Sequence, residues 1–237
     1  MVLPKEHGTW MMFFLPYLLG VFLSSPSFIH LPFLIGWFSL FLAATPLLSI
    51  IRNRKTKDIM VPWLIIYSVI SIAFLIPVIW LYPTLLWIGL CTFPLLIVNI
   101  YFIKTKNERS FSNNISGILV FSLGGLAAHV IGEGQWTIEA FITLGLSGFY
   151  FTGSAFYVKS LIRERKNVRF KKQSHLYHFF LIALPWMIGI PYLILAFLPG
   201  TLKDWITSRK KQMKPIKIGM IEMVNGALFF IVCVAIY

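Results

Sequence analysis

Long apolar runs alternate with short polar segments along the whole chain. Most runs are close to the ~20 residues that a helix needs to cross a hydrocarbon core of ~30 Å. The pattern therefore predicts an all-α, polytopic transmembrane bundle in a single domain covering residues 1–237. The nine predicted spans are 10–25, 32–51, 60–80, 83–103, 114–131, 136–158, 174–189, 190–203 and 216–236.

The segment from Ser174 to Leu202 is the ambiguous part of this assignment, because it is short for two crossings and long for one. A single crossing would place two strongly basic segments on opposite sides of the membrane, against the usual bias. We therefore predict two short or tilted helices hinged near Gly189 to Pro191. A re-entrant pair is the alternative. The basic segment that follows, Thr201 to Lys214, has the composition of an interfacial helix.

Positive charge is confined to the polar segments between spans. The 21 Lys and Arg residues lie at Lys5 and within 52–57, 104–109, 159–172 and 203–217. Because positive loops stay in the cytoplasm, this spacing predicts a multi-pass membrane protein with a cytoplasmic N-terminus and an external C-terminus. The net charge of +13 then indicates anionic membrane lipids as partners, and no nucleic acid.

One basic segment recurs four spans later. Ser49 to Lys55 reads SIIRNRK, Ser160 to Lys166 reads SLIRERK, and five of the seven positions are identical. Equivalent depth at the ends of spans two and six is what two parallel four-helix repeats plus a ninth helix would produce. A chance match between two juxtamembrane compositions is the alternative.

The helical spacing of span six directs part of this charge inward. A stripe of small residues from Gly145 to Ala155 continues to Lys159 and Arg163 on the same face, and such stripes pack against other helices. With Arg52 and Arg54 from the first copy, these residues are the predicted binding site for an anionic headgroup. The alternative is that they only fix the topology. No metal ligand is predicted among them.

Glu222 is the clearest polar residue within a predicted span. It lies in span nine with Gly219, Asn225 and Gly226 on or beside its face, so we expect it to point into the bundle. A proton carrier, a counter-charge for a base and a hydrogen-bond acceptor for substrate are the functional possibilities. A structural pair with Asn225 and a neighbouring base is the alternative.

Three histidines lie within or beside spans. His129 is on a face rich in glycine and alanine, and we expect an interhelical histidine whose hydrogen bonds are satisfied. His175 and His178 are three residues apart and could meet a metal, but the neighbouring sequence supplies no third ligand. The sequence therefore predicts no metal site.

The N-terminal segment Pro4 to Trp10 reads PKEHGTW and is unusually rich in reactive side chains. Together with Pro16, Glu108 to Ser110 and Ser174 to His178, it resembles the bacterial YwiC-like family of integral membrane proteins. The resemblance covers the chain and implies a multi-pass plasma-membrane protein, without implying an activity. It makes Glu6 and His7 candidate catalytic residues beside Glu222. The alternative is an interfacial anchor.

The nine spans and the repeated motifs also resemble the UbiA-type prenyltransferase architecture. In that family, Asp-rich motifs at these two positions hold magnesium against a prenyl diphosphate. Here only Asp58 and Glu164 lie nearby, among bases that repel a cation. The resemblance therefore implies direct Arg and Lys contact with a lipid or isoprenoid phosphate, without a cofactor.

Two classes of function remain open from the sequence. One is a lipid-modifying transferase or hydrolase with a cytoplasm-facing cationic cavity. The other is a transporter, binder or accessory subunit for a lipophilic anion, which Pro185, Gly189 and Pro191 favour because broken helices line transport sites. The sequence does not decide whether the protein is an enzyme.

Overall fold

The computed structural model describes residues 1–4, 7–210 and 212–236, and of His7 only the backbone. These residues form nine α-helices and two one-turn 3₁₀ helices, Arg54–Thr56 and Pro191–Leu193, and they include no strand. The helices are α1 His7–Phe22, α2 His30–Arg52, α3 Lys57–Leu81, α4 Leu85–Lys104, α5 Phe111–Glu133, α6 Ile138–Ile162, α7 Val168–Met187, α8 Ile194–Ile206 and α9 Pro215–Ile236.

Six of these helices are long and apolar enough to cross a membrane: α2, α3, α4, α5, α6 and α9. The apolar helix α1 is shorter. Large apolar side chains cover the outside of the bundle, as with Trp80 and Trp87, which are 85% and 66% exposed. Such a surface is stable only against lipid. The prediction of a helical membrane bundle is confirmed, and the protein is embedded in a membrane.

Helices α7 and α8 form a shorter hairpin. The break between them falls at Gly189, whose φ of 78° suits glycine, and at the turn that begins with Pro191, as the sequence predicted. With 13 residues, α8 is about 20 Å long, which is less than the ~30 Å hydrocarbon core. Its C-terminal end, at Ile206, and the start of α7 therefore lie together at one end of the bundle.

Helices α1 and α5 cross closely at the centre. A Cβ atom on Gly20 would lie 2.1 Å from the carbonyl oxygen of Gly125, so only glycine allows this approach. Phe13 and Tyr17 of α1 join Trp37 of α2 in the adjoining core. Helices α1 and α5 are the first helices of the two proposed four-helix repeats. The duplication itself stays a prediction.

The loops divide the bundle into two ends. The lysines and arginines of the described residues lie in the α2–α3, α4–α5, α6–α7 and α8–α9 connections or at the ends of the helices that these join, and we call this end the basic end. The opposite end has short connections, one of which turns at Gly134 with a φ of 71°. The polar features described next lie at the basic end or just inside it.

Candidate functional site at the basic end

Arg52 ends α2 and binds the α4–α5 loop. Its Nε donates to Oε1 of Glu108 at 2.8 Å, and its Nη2 pairs with the other carboxylate oxygen. The Arg52 side chain is 55% exposed. Arg54 lies on the exposed 3₁₀ turn that follows. Arg52 therefore anchors a loop, and Arg54 is open to solvent or headgroups.

Lys159 binds the same loop from the other side. Its Nζ donates to the carbonyl oxygen of Arg109 at 3.2 Å, and it lies 5.6 Å and 5.9 Å from the ring centroids of Phe111 and Phe170. Aromatic faces attract a cation at these distances. Arg163 follows one turn later, exposed at the end of α6.

Arg52 of the first repeated segment and Lys159, the residue directly before the second segment, therefore bind the α4–α5 loop separately. The helix that carries Arg52 packs on α3, α4 and α5, whereas the helix that carries Lys159 and Arg163 packs on α5, α7 and α1. The loop residues Glu108 and Arg109 connect them. A single cluster of all four predicted headgroup residues stays a prediction.

Beneath Lys159 an apolar groove opens between α5, α6 and α7. Its volume is about 490 Å³, within the range of ligand sites. Leu176 is 69% exposed, so the groove opens sideways from the bundle. The rings pack on one another, with 4.3 Å between the centroids of Phe111 and Phe156. The lining residues are Phe111, Phe156, Phe170, Gln173, Leu176, Tyr177 and Phe180.

On the opposite side of α7, the carboxylate of Asp204 is completely buried. Oδ1 accepts from Ser174 Oγ at 2.8 Å and pairs with the guanidinium of Arg209. Oδ2 accepts from Nδ1 of His175 at 2.6 Å and lies 3.5 Å from Nδ1 of His178. A buried charge needs such partners, and both oxygens of Asp204 have them.

Arg209 closes this network from the α8–α9 connection. Its Nε and Nη2 donate to Ser160 Oγ at 3.3 Å and 3.1 Å, and Nη1 donates to the carbonyls of Asp204 and Thr207. Ser160 belongs to the second repeated segment, whereas Ser49 of the first only donates back to Thr45. The two copies therefore have different surroundings.

A second ion pair lies beside this network and joins α8 to α9. Lys203 Nζ pairs with Oε1 of Glu222, and Ser154 Oγ donates to Oε2 at 2.5 Å. The side chains of Lys203 and Glu222 are 10% and 13% exposed. Lys203 also lies over the ring of Tyr157, 4.3 Å from its centroid. Glu222 thus points into the bundle, as predicted, and the base it pairs with is Lys203.

Beside this pair is a small internal cavity, which we call the chamber. The space open to the centre of a water molecule is about 10 Å³, enough for one water. Asn225 Nδ2 donates to the hydroxyl of Tyr150 at 2.9 Å in its wall. The chamber is lined by Tyr150, Ser154, His178, Leu181, Phe197, Gly200, Lys203 and Asn225.

The three histidines in or beside the spans all have partners on other helices. His129 is buried within hydrogen-bond distance of Thr137 and Thr143, which confirms an interhelical histidine. His175 and His178 both lie beside Asp204, thirty residues beyond Ser174. Among the described residues, no three His, Cys, Asp or Glu side chains are placed to hold a metal.

Of the N-terminal candidates Glu6 and His7, the structure describes only the backbone of His7. Glu6 lies outside the described residues, and His7 begins α1 with its side chain not described. Sequence reasoning missed Asp204 and Arg209, because both lie in a basic segment that read as an interfacial helix. The sequence signal that could have identified Asp204 is its position directly after Lys203, at the end of an apolar run.

The fold and these polar features define a multi-pass helical membrane protein with a cationic end and a buried polar network. The family model "YwiC-like protein" matches residues 3–129. "Uncharacterized protein YwiC" of Bacillus subtilis (strain 168) is 36% identical over 98% of this chain and 96% of its own. An "Uncharacterized protein" of Haemophilus influenzae is 31% identical over the same shares. The chain belongs to the YwiC-like family. No solved structure matches it.

Proposed function

We propose that the protein binds an anionic lipid in the cytoplasmic leaflet of the plasma membrane. The lipid tail occupies the groove between α5, α6 and α7, and the phosphate of the headgroup contacts Lys159. The supporting observation is the position of Lys159, above the rings of Phe111 and Phe170 at the polar limit of the groove. A cation directly above an apolar groove complements an anionic amphiphile.

Lys159 has donors to spare for such a headgroup. An ammonium carries three protons, and the structure shows one hydrogen bond, to the carbonyl of Arg109. No ion pair among the described residues includes Lys159. Arg163 lies one turn further along α6. Arg169 lies four and seven residues before the groove residues Gln173 and Leu176, on the same face of α7.

The groove also has the length of one lipid tail. Its lining residues on α7 run from Phe170 to Phe180. Ten residues of helix span about 15 Å, half of the ~30 Å hydrocarbon core. The groove therefore follows one leaflet from the headgroup level to near the midplane, which suits an acyl or isoprenoid chain.

This mode of binding needs no divalent metal. Magnesium takes clustered oxygen ligands, whereas the carboxylate near Lys159, Glu164, stands alone among aromatic and basic side chains. Arg and Lys can contact a phosphate directly. We therefore expect a chelator to leave binding unchanged.

Native mass spectrometry of the purified protein tests the headgroup contact. Lys159→Gln should reduce retention of anionic lipid by about tenfold, because a charge-assisted contact contributes about 1.5–3 kcal/mol. The matched control is Lys104→Gln, which removes the same charge from an exposed position at the same end. Equal loss in both variants, or retention that requires magnesium, would contradict the proposal.

A second pair of variants tests the tail. Leu176→Gln places a polar group in the groove, whereas Phe179→Gln changes a neighbouring exposed residue, 58% accessible, that does not line it. We expect only Leu176→Gln to weaken lipid retention. Displacement of the lipid by inorganic phosphate would show a headgroup site without a tail site. A stable dimer that covers the groove would show a second copy as its occupant.

A further inference from the structure

His178 presents one ring nitrogen to the chamber. Its Nδ1 lies 2.8 Å from the carbonyl oxygen of Ser174. A carbonyl only accepts hydrogen bonds, so Nδ1 carries a proton. No hydrogen bond joins Nε2 to any described residue, although the side chain is almost fully buried. Nε2 is therefore the atom of this ring that can gain or lose a proton.

The close packing of α6 on α7 directs Nε2 inward. A Cβ atom on Gly153 would lie 3.3 Å from Nε2 and 3.0 Å from a methyl carbon of Leu181. Because Gly153 has no side chain, the His178 ring has room beside the chamber. Ser154, the next residue of α6, is in the chamber wall.

The other polar side chains of the chamber already have partners. Lys203 pairs with Glu222, and Ser154 donates to the same carboxylate. Asn225 donates to the hydroxyl of Tyr150. A water in the chamber would therefore donate a hydrogen bond to Nε2 of His178, which lies in the chamber wall.

We propose that His178 and the chamber form a proton-binding site within the membrane, in which a single water delivers the proton to Nε2. A hydronium ion from water at the basic end supplies the proton: one of its O–H bonds breaks, an N–H bond forms at Nε2, and neutral water remains in the chamber, with no change of oxidation state. The resulting imidazolium has Asp204 as its counter-charge, 3.5 Å from Nδ1. This site is independent of the lipid groove on the other side of α7.

The charges around His178 make this uptake possible. Asp204 and Glu222 are balanced by Arg209 and Lys203, so a neutral His178 leaves the cluster with no net charge. Asp204 also accepts from His175, whose side chain is 28% exposed, which links the network to water at the basic end. The titratable or charged groups around the His178 ring are Tyr150 of α6, His175 and Tyr177 of α7, Lys203 and Asp204 of α8 and Glu222 of α9.

Histidine NMR in lipid nanodiscs tests the proposal on the whole protein. The chain has five histidines, so ¹⁵N-histidine labelling gives few ring signals. We expect one ring to keep Nδ1 protonated throughout and to gain a proton at Nε2 as the pH is lowered. His178→Gln should remove this signal, and His129→Gln, which changes a buried histidine elsewhere, should leave it.

Asp204→Asn should weaken proton binding at His178 by about tenfold or more, because it removes the opposite charge. Asp204→Glu, which keeps the charge, should preserve most of the affinity. Where a variant fails to fold, the wild-type titration decides, with the signal assigned by replacing the other four histidines singly. A His178 ring that does not titrate, or an affinity unchanged by Asp204→Asn, would overturn the proposal.

Discussion

At the scale of single residues, the buried carboxylate of Asp204 is the largest departure from the sequence-based account. Glu222 was identified because it interrupts an apolar run. Asp204 stands among lysines and arginines, where an acid usually faces water, and its burial depends on Ser174 and His175 from another helix. Sequence periodicity does not predict such a long-range contact.

Removing Arg209 should therefore destabilise the protein strongly. The side chains of Arg209 and Asp204 are 5% and 0% exposed, so Arg209→Gln leaves a buried charge without its main partner. We expect a loss of about 3–5 kcal/mol in the free energy of unfolding. Unfolding in detergent, with Arg54→Gln as the exposed control, measures it.

The double variant Asp204→Asn/Arg209→Gln provides the internal check. Because neither charge remains, its loss should be smaller than the sum of the two single losses. Strictly additive losses would show that the pair does not act as a unit.

At the scale of helices, the sequence predicted the number and the order of the helices well. It predicted the residues at which they begin and end less well. All nine predicted spans correspond to helices among the described residues. However, α7 begins at Val168, before the predicted 174, and α6 continues to Ile162, beyond the predicted 158. Hydropathy marks where the chain leaves the hydrocarbon core, whereas capping marks where the helix ends. Asn167, which caps α7 through the Phe170 amide, lies in a basic segment.

The crossing of α1 and α5 gives a test at the same scale. Gly20→Ala would place a Cβ atom 2.1 Å from the Gly125 carbonyl oxygen, whereas a Cβ atom on Gly117 has nothing within 4 Å. We expect Gly20→Ala to lower the free energy of unfolding by about 1–3 kcal/mol, because the backbone must shift to make room for the new Cβ atom. Gly117→Ala should be neutral or slightly stabilising. Equal effects in thermal unfolding would contradict the close crossing.

At the scale of the whole molecule, the asymmetry of charge sets the proposed orientation. Tags placed near Lys55 or Lys166 should be cytoplasmic, and a tag after Tyr237 should be external, because positive loops are retained inside. Cysteine labelling in intact cells measures this. A cysteine introduced at Gln135 that reacts only from the cytoplasm would contradict the orientation.

The lipid proposal also belongs to this scale, because it joins the charge of the basic end to the shape of the bundle. The sequence indicated Lys159 and Arg163 as headgroup residues but not the aromatic groove, which combines side chains of α5, α6 and α7. Phe111, at the start of α5, packs on Phe156 of α6 where the α4–α5 loop also meets Lys159, and this contact joins residues far apart in the sequence.

The most direct measurement is a density map of the protein in nanodiscs that contain anionic lipid. We expect elongated density along α7 from Phe170 to Phe180, ending in a headgroup beside Lys159, and its loss in Lys159→Gln. An empty groove in the wild-type protein, or a lipid whose headgroup lies away from Lys159, would contradict the account.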